Sequence, residues 1–229
     1  MSLPLADTNN IINLVAKQDL SALNQKNMRQ FSLIAFLYDP IMDSYVRKKM
    51  HRADPQKHQR IWQELIGSFQ RLKILDLACG TGKLIDYLNG NNDYTGLDLS
   101  YGMLKRAARR AKQKGLAQCR IVCSNAEKPL PEERFDLVIT DTALHVIPDW
   151  RAALAAAAKA LTPTGLLICA LPVVGIDENF DEKWKKLSKK SRFHALDQDA
   201  LRAACSENGL DFTVVTTNGG MLYFKAKKK

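Results

Sequence analysis

Apolar residues along this chain follow two rhythms that alternate from about residue 73 onward. Short continuous runs with β-branched and aromatic members predict strands at 73–77, 94–98, 119–123, 135–140 and 165–171. Between them, apolar positions three and four apart predict helices at about 83–90, 101–114 and 149–161. Alternating strand and helix predicts an α/β fold, a Rossmann-like parallel sheet with right-handed crossovers and helices on both faces. Further on, Asp197 caps a helix running to about Asn208, with Leu196 and Leu201 as a hydrophobic staple and Gly209 as its stop. Two alternating segments, Asp211–Thr217 and Met221–Lys227, flank Asn218-Gly219-Gly220 and predict a terminal hairpin. The charged stretch from Asp177 to Arg192 reads as a solvated loop or helix near the mouth of a site. Residues 1–70 carry helical patterns and no convincing strand. Ala6–Gln25 is weakly amphipathic, Asn27–Tyr38 is more apolar, and Pro40 and Pro55 interrupt the pattern. Three or four short helices over residues 1–70 would then cap a domain formed by residues 71–229.

The densest chemical signal is Ile74-Leu-Asp-Leu-Ala-Cys-Gly-Thr-Gly-Lys-Leu84. A buried strand carrying Asp76 ends at a small-residue turn, Ala78 to Gly82, and a helical pattern starts at once. Glycines let a ligand approach the backbone, and a helix start offers unpaired N–H groups. The next strand ends at Asp98, where a carboxylate can accept hydrogen bonds from ribose hydroxyls. A helix cap is the alternative role for Asp98, but Ser100 already supplies that cap. The ligand is not a dinucleotide by this pattern, because Ile85 stands where a third glycine would pack. Nor is it a phosphate loop, since Gly82-Lys83 is followed by Leu84. Asp76 would repel a pyrophosphate and would suit an ammonium. S-adenosylmethionine has an ammonium, a sulfonium and a ribose but no phosphate, and it fits these residues best.

Asp76-x-Ala-Cys-Gly-Thr-Gly82 also resembles motif I of the class I S-adenosylmethionine-dependent methyltransferases. Asp98, Asn125-Ala-Glu-x-Pro-Leu-Pro131, Phe135-Asp-Leu-Val-Ile139 and Leu161-Thr-Pro-Thr-Gly-Leu-Leu-Ile168 follow in that family's order. The similarity is strong over residues 72–171, and within the superfamily it is closest in kind to the small-molecule branch that includes ubiquinone and menaquinone methyltransferases. Ala78 replaces the usual first glycine and Asn125 the commoner aspartate. The resemblance implies a seven-stranded, mostly parallel sheet with a C-terminal antiparallel hairpin. It implies S-adenosyl-L-methionine as cofactor, S-adenosyl-L-homocysteine as product, and methyl transfer to O, N or C of a small, partly apolar molecule.

Composition narrows the setting. Hydrophobic residues make up 46% and charged residues 25%, which is ordinary for a water-soluble globular chain. No apolar run reaches bilayer-spanning length, and Met1-Ser-Leu-Pro-Leu-Ala lacks a charged leader. Five cysteines, an odd number in predicted strands and helix, read as free thiols in a reducing, cytoplasmic compartment, and no metal site is expected. The net charge of +10 is uneven, with residues 71–120 the most basic and 121–180 net acidic. Much of it lies on the helix Lys105–Lys114, whose apolar stripe (Met103, Leu104, Ala107, Ala108, Ala111) turns the basic groups to solvent. That face is either simply solvated or attracts RNA or an anionic membrane. Aromatics are not interleaved with it, which disfavours stacking on single-stranded RNA.

By role, the backbone of Ala78, Cys79, Gly80 and Gly82 would line the methionine part of the cofactor, and Asp76 would take its ammonium. Asp98 would hold the ribose, with Leu99 and Met103 against the adenine. Asn125 and Ala126 would meet the adenine edge by resemblance, although Asn125 reads equally as a turn residue. Asp141, in Thr140-Asp-Thr-Ala-Leu-His145, would lie where cofactor meets substrate. His145 is the candidate general base, its alternative being a histidine bonded to backbone in a turn. Tyr38, in the pair Tyr38-Asp39, resembles a capping-helix motif in which the tyrosine closes over the ligand, with Phe36, Met42 and Tyr45 as pocket lining; these residues read equally well as core. RNA or protein methylation is the runner-up, though the Asn/Asp-Pro-Pro-Tyr signature is absent where Thr140–Ala143 stands. Binding of the cofactor without catalysis is a third reading. The residues assign no oligomeric state.

Overall fold

The computed structural model describes residues 11–229 except 17, 19, 117, 129, 131–133, 191 and 192. Eight strands form one sheet: β1 (Ile11–Asn13), β2 (Lys73–Leu77), β3 (Asp93–Asp98), β4 (Gln118–Cys123), β5 (Phe135–Asp141), β6 (Leu161–Pro172), β7 (Leu210–Asn218) and β8 (Met221–Lys228). Their spatial order is β1-β4-β3-β2-β5-β6-β8-β7. Every pairing from β1 to β6 is parallel, and β8 pairs antiparallel with both β6 and β7. The expected hairpin is therefore present. The seven-strand expectation needs one correction. Ile11–Asn13 adds an eighth strand beside β4, within a segment that had read as helical. The start of the expected 6–25 helix lies outside the described residues.

Alternation along the strands explains the two-sided core. Leu75 and Leu77 face a layer containing Trp150, Leu154, Leu201 and Cys205. Ile74 and Tyr94 face the opposite layer with Ile61, Trp62, Leu65 and Leu104. The first layer is supplied by α5 (Trp150–Ala160) and α7 (Gln198–Glu207), the second by α3 (Pro55–Ile66) and α4 (Tyr101–Lys114). Asp54, Ser100, Asp149 and Asp197 each accept from a backbone N–H of the helix they precede, which fixes four helix starts. Pro55 thus begins a helix, as its locked φ and missing N–H allow. The helix expected at 83–90 is instead a single tight turn, Lys83–Tyr87, bounded by left-handed Gly82 and extended Leu88.

The N-terminal helices α1 (Ala22–Ile34) and α2 (Tyr38–Ile41) run into a nine-residue π-helix, Met42–Met50, of a kind rarely kept without a functional or packing reason. The segment 178–190 is a helix, α6, and it is not simply solvated: Phe180 and Trp184 are buried. The β7–β8 turn locks the corner after the π-helix. Gly220 N–H donates to His51 O, Asp54 N–H donates to Asn218 Oδ1, and Asn218 Nδ2 donates back to Asp54 O.

Gly219 has φ +58, and a β-carbon there would run into the Arg52 carbonyl oxygen. Gly115 has φ +70 with open space around it. Gly219→Ala should therefore lose roughly 2–4 kcal/mol, backbone strain plus a clash, against roughly 1–2 kcal/mol of strain for Gly115→Ala. Urea unfolding at constant m-value checks the ranking; equal losses would show that the corner yields.

Candidate functional site

Chain order reverses at β2. The chain proceeds outward through β3 and β4 on one side, then returns to place β5 on the other. A sheet of this type opens a crevice at the carboxyl ends of the two strands flanking that switch. Here those ends carry Ala78–Gly82, after β2, and Asp141, the last residue of β5. Two connected clefts occupy the place, and they share Tyr38, Ala78, Gly80, Asp141 and Thr142.

The larger cleft runs toward α4 and α1. Asp98, Leu99, Met103, Asn125 and Ala126 line it, and Met28, Phe31, Val146 and Ile147 form its apolar wall. Asp98 joins two backbones: Oδ2 accepts from Gly80 N–H at 2.9 Å and Oδ1 from Ser100 N–H at 2.7 Å. Burial pushes its pKa up while the N–H groups of Ser100, Gly80 and Leu99 oppose the shift. A carboxylate has about four acceptor positions, so capacity remains for ribose hydroxyls. Gly80 has φ +55 and nothing within 4 Å of where a β-carbon would stand, leaving the turn open to a ligand. Ala78 holds φ 57, a left-handed conformation an alanine adopts only under constraint.

Asn125 lines the cleft, yet Oδ1 already accepts from Glu127 N–H at 3.0 Å and Nδ2 donates to the Glu127 carboxylate at 3.0 Å. Glu127 also accepts from Asn24 Nδ2 of α1 at 2.9 Å. One turn further, Asn27 donates to Val146 O, and its buried Oδ1 has no partner among the described residues. An unpaired buried acceptor in a cleft wall is costly unless a ligand donor meets it. Sequence reading missed Asn24 and Asn27, although two asparagines three apart on the inner face of an otherwise weak helix were a signal.

The smaller cleft holds Asp76, Cys79 and Thr81 together with Tyr38, Asp39, Met42, Asp43 and Arg47 of the cap. Asp76 is buried in β2, with Tyr94 Oη donating to Oδ2 at 2.8 Å. Burial raises its pKa to about 8, the Tyr94 hydroxyl resisting the shift. The carboxyl is therefore largely protonated at neutral pH. Asp39 straps the cap to the turn: Thr81 Oγ1 donates to Oδ1 at 2.6 Å and Arg110 Nη2 to Oδ2 at 2.7 Å. Burial works against the Asp39 charge, but those two bonds hold its pKa below the usual value. Arg110 also donates to Thr81 O at 2.8 Å, so one basic group of α4 turns inward rather than to solvent.

Asp141 sits between the two clefts. Arg47 Nη2 reaches its Oδ2 at 3.0 Å, His58 Nε2 at 3.2 Å, and Thr142 Oγ1 donates to Oδ1 at 2.8 Å. Burial opposes ionisation, yet His58 and Arg47 hold the carboxyl below its ordinary range. Burial also lowers the His58 pKa. A neutral His58 satisfies both its contacts, donating from Nε2 and accepting at Nδ1 from Tyr223 Oη at 2.6 Å. Arg47, His58 and Tyr223 escaped sequence reading because their partners are far along the chain.

Two sequence expectations are corrected. His145 does not line either cleft. It lies in a three-residue turn, 3% exposed, with its ring against His51, Trp184 and Phe193. Burial lowers its pKa to about 3, so at neutral pH the ring is uncharged and a weak base. Phe36 and Tyr45 are not pocket lining either, being 64% and 59% exposed, whereas Met42 and Tyr38 do face the clefts. Burial pushes the Tyr38 phenol well above its ordinary pKa, so it acts as a neutral hydroxyl.

Comparison with known proteins agrees with this geometry. Residues 75–169 match the family described as "Methyltransferase domain". The demethylmenaquinone methyltransferase of Bacillus cytotoxicus is 31% identical over 144 residues, covering 61% of this chain and 59% of that protein. That of Listeria welshimeri is 29% identical over 150 residues, covering 63% and 61%. The chain thus spans about three-fifths of the length of these curated relatives. In fold it is similar to magnesium protoporphyrin IX methyltransferase from Synechocystis, solved with SAH bound, at a TM-score of 0.69 and 16% identity over 90% of this chain and 100% of that one. The matched stretch covers the β2-to-β6 core, with its glycine turn and Asp98.

Asp39→Ala removes both bonds of the strap at a site that is mostly screened from water. The expected loss is roughly 1–3 kcal/mol of stability. Thermal unfolding reads it, and an unchanged midpoint would show the strap to be energetically idle.

Proposed function

We propose that the chain transfers a methyl group from S-adenosylmethionine to an O, N or C nucleophile of a small, partly apolar molecule. The observation that carries this reading is the switch-point cleft, where an open left-handed Gly80 and the Asp98 carboxylate face an apolar wall. S-adenosylmethionine, when bound, supplies a methyl carbon already activated by its sulfonium. What remains for the protein is to hold, orient and desolvate the reactants. Asp98 would accept from the ribose hydroxyls, and Asn27 and Asn125 offer polar contacts for the adenine edge. Leu99 and Met103 would pack on its ring. Asp76 would receive the ammonium, and the turn Ala78–Gly82 with Cys79 would bound the methionine chain. Asp141 and Tyr38, shared by both clefts, stand where cofactor and acceptor would meet. The acceptor would enter along Met28, Phe31, Val146 and Ile147. That wall supports an apolar acceptor and not an open nucleic-acid groove. Cap residues 1–70 would act as its lid over a catalytic unit of 71–229, and five free thiols fit a cytoplasmic setting.

The cofactor assignment is tested by calorimetric titration with S-adenosylmethionine and S-adenosylhomocysteine. Asp98→Ala should weaken binding by about tenfold or more, the loss of charge-assisted hydrogen bonds. No binding by the folded, cofactor-free wild type would overturn the reading.

Asp76 gives that titration a pH dependence of known sign. With a pKa of about 8 the carboxyl is mostly protonated at pH 7 in the free protein. An ammonium beside it favours the ionised form, so binding near neutrality releases a proton and affinity rises as pH climbs from about 6 toward 8. Apparent enthalpies at pH 7 should then vary with the ionisation heat of the buffer, and Asp76→Asn should abolish the variation. Enthalpies independent of buffer in the wild type would remove Asp76 from the ammonium site.

A further inference from the structure

The cap segment turns one chemistry inward and another outward. Leu33, Leu37, Ile41 and Tyr45 recur every four residues, and they are 76%, 47%, 39% and 59% exposed. Phe36, at 64%, stands beside them. Most of the large apolar side chains exposed among the described residues belong to this one stretch. The same helical spacing continues into exposed basic residues at both ends, Lys26 and Arg29 before the apolar stripe, Lys48 and Lys49 after it. The two acids of the segment face the other way and are paired, Asp39 with Arg110 and Asp43 with Arg47. The outer face is therefore apolar in the middle, cationic at its edges and free of carboxylates, while Phe31, Tyr38 and Met42 of the same segment line the clefts behind it.

We infer that this face is a docking surface for an anionic lipid bilayer, lying in the interface with Leu33, Phe36, Leu37, Ile41 and Tyr45 inserted among the acyl chains. An apolar strip rimmed by lysine and arginine matches the two layers such an interface presents, hydrocarbon beneath and negative headgroups around. A water-exposed strip of this size is otherwise a liability for a folded protein. RNA would satisfy the basic rim but leave the aliphatic centre unmatched. A second copy of the chain would cover the centre but bring like charges together at the rim. Tyr101, partly exposed with Lys105 Nζ over its ring, continues the same combination on α4, which packs against α1. The binding itself does not depend on the proposed methyl transfer.

The test is flotation of the 229-residue chain with vesicles of phosphatidylcholine, with and without phosphatidylglycerol. The expected result is binding to the anionic vesicles, weakened by salt, and reduced about tenfold or more in Leu33→Asp/Phe36→Asp. Because both positions are exposed, that variant should keep its melting temperature and its S-adenosylhomocysteine affinity, which separates lost docking from lost folding. Loss of cofactor affinity in the wild type would sink the methyltransferase reading and leave vesicle binding intact. Three results overturn the docking surface. One is absence of vesicle binding by the wild type, whether residues 1–10 or a second copy covers the strip, and sedimentation of the protein alone distinguishes those. Another is binding that the double aspartate variant retains in full, which assigns the attraction to other basic faces. The last is binding that RNA displaces while neutral and anionic vesicles behave alike.

Discussion

A carboxylate with little access to water keeps its charge only if partners replace the water it has lost, and Asp141, its side chain 10% exposed, is such a group. Its partners come from three regions that are remote in sequence. Arg47 arrives on the π-helix, His58 on α3, and Tyr223 reaches the group through His58 from the C-terminal hairpin. One ionised side chain at the tip of β5 thereby ties cap, sheet and hairpin together at the point where the clefts join. Removing one partner of a buried pair commonly costs about 3–5 kcal/mol, because the other charge is left stranded. The position of the cap over the crevice therefore follows from electrostatics at the strand end as much as from apolar packing.

The second organising contact is Asp98, which links the turn after β2 to the start of α4 through two backbone N–H groups. Those bonds preset the turn before any ligand arrives. Ala78 stays left-handed in consequence, its small strain carried by the surrounding hydrogen bonds. A site arranged in advance loses less freedom on binding than one that must be assembled.

The parts of this architecture that sequence made visible are the ones with local causes. Strands β2 to β5 are short apolar runs, β3 and β5 closing on an acid, and two helix starts announce themselves through Ser100 and Asp197. The cleft residues Asp76, Gly80 and Asp98 follow, since they owe their places to strand ends and turn chemistry. What stayed hidden has distant causes. Three residues of β1 are too few to show alternation, and only the edge of β4 makes them a strand. Arg47 looks like one more surface base until Asp141 is brought beside it. The four-residue spacing from Leu33 to Tyr45 imitates a buried helix face, and only the fold shows it pointing outward. His145 follows the right strand, but a short turn carries its ring behind the cleft against Trp184. Periodicity tells that a face exists; it does not tell which neighbour will meet it.

The strap from Asp39 to Thr81 and Arg110 closes the cap onto the very turn that borders the smaller cleft. A ligand seated behind Tyr38 cannot leave along that side while the strap holds. Exchange of such a ligand along that side would wait on the opening of a charged latch, a motion on the slower, collective timescale.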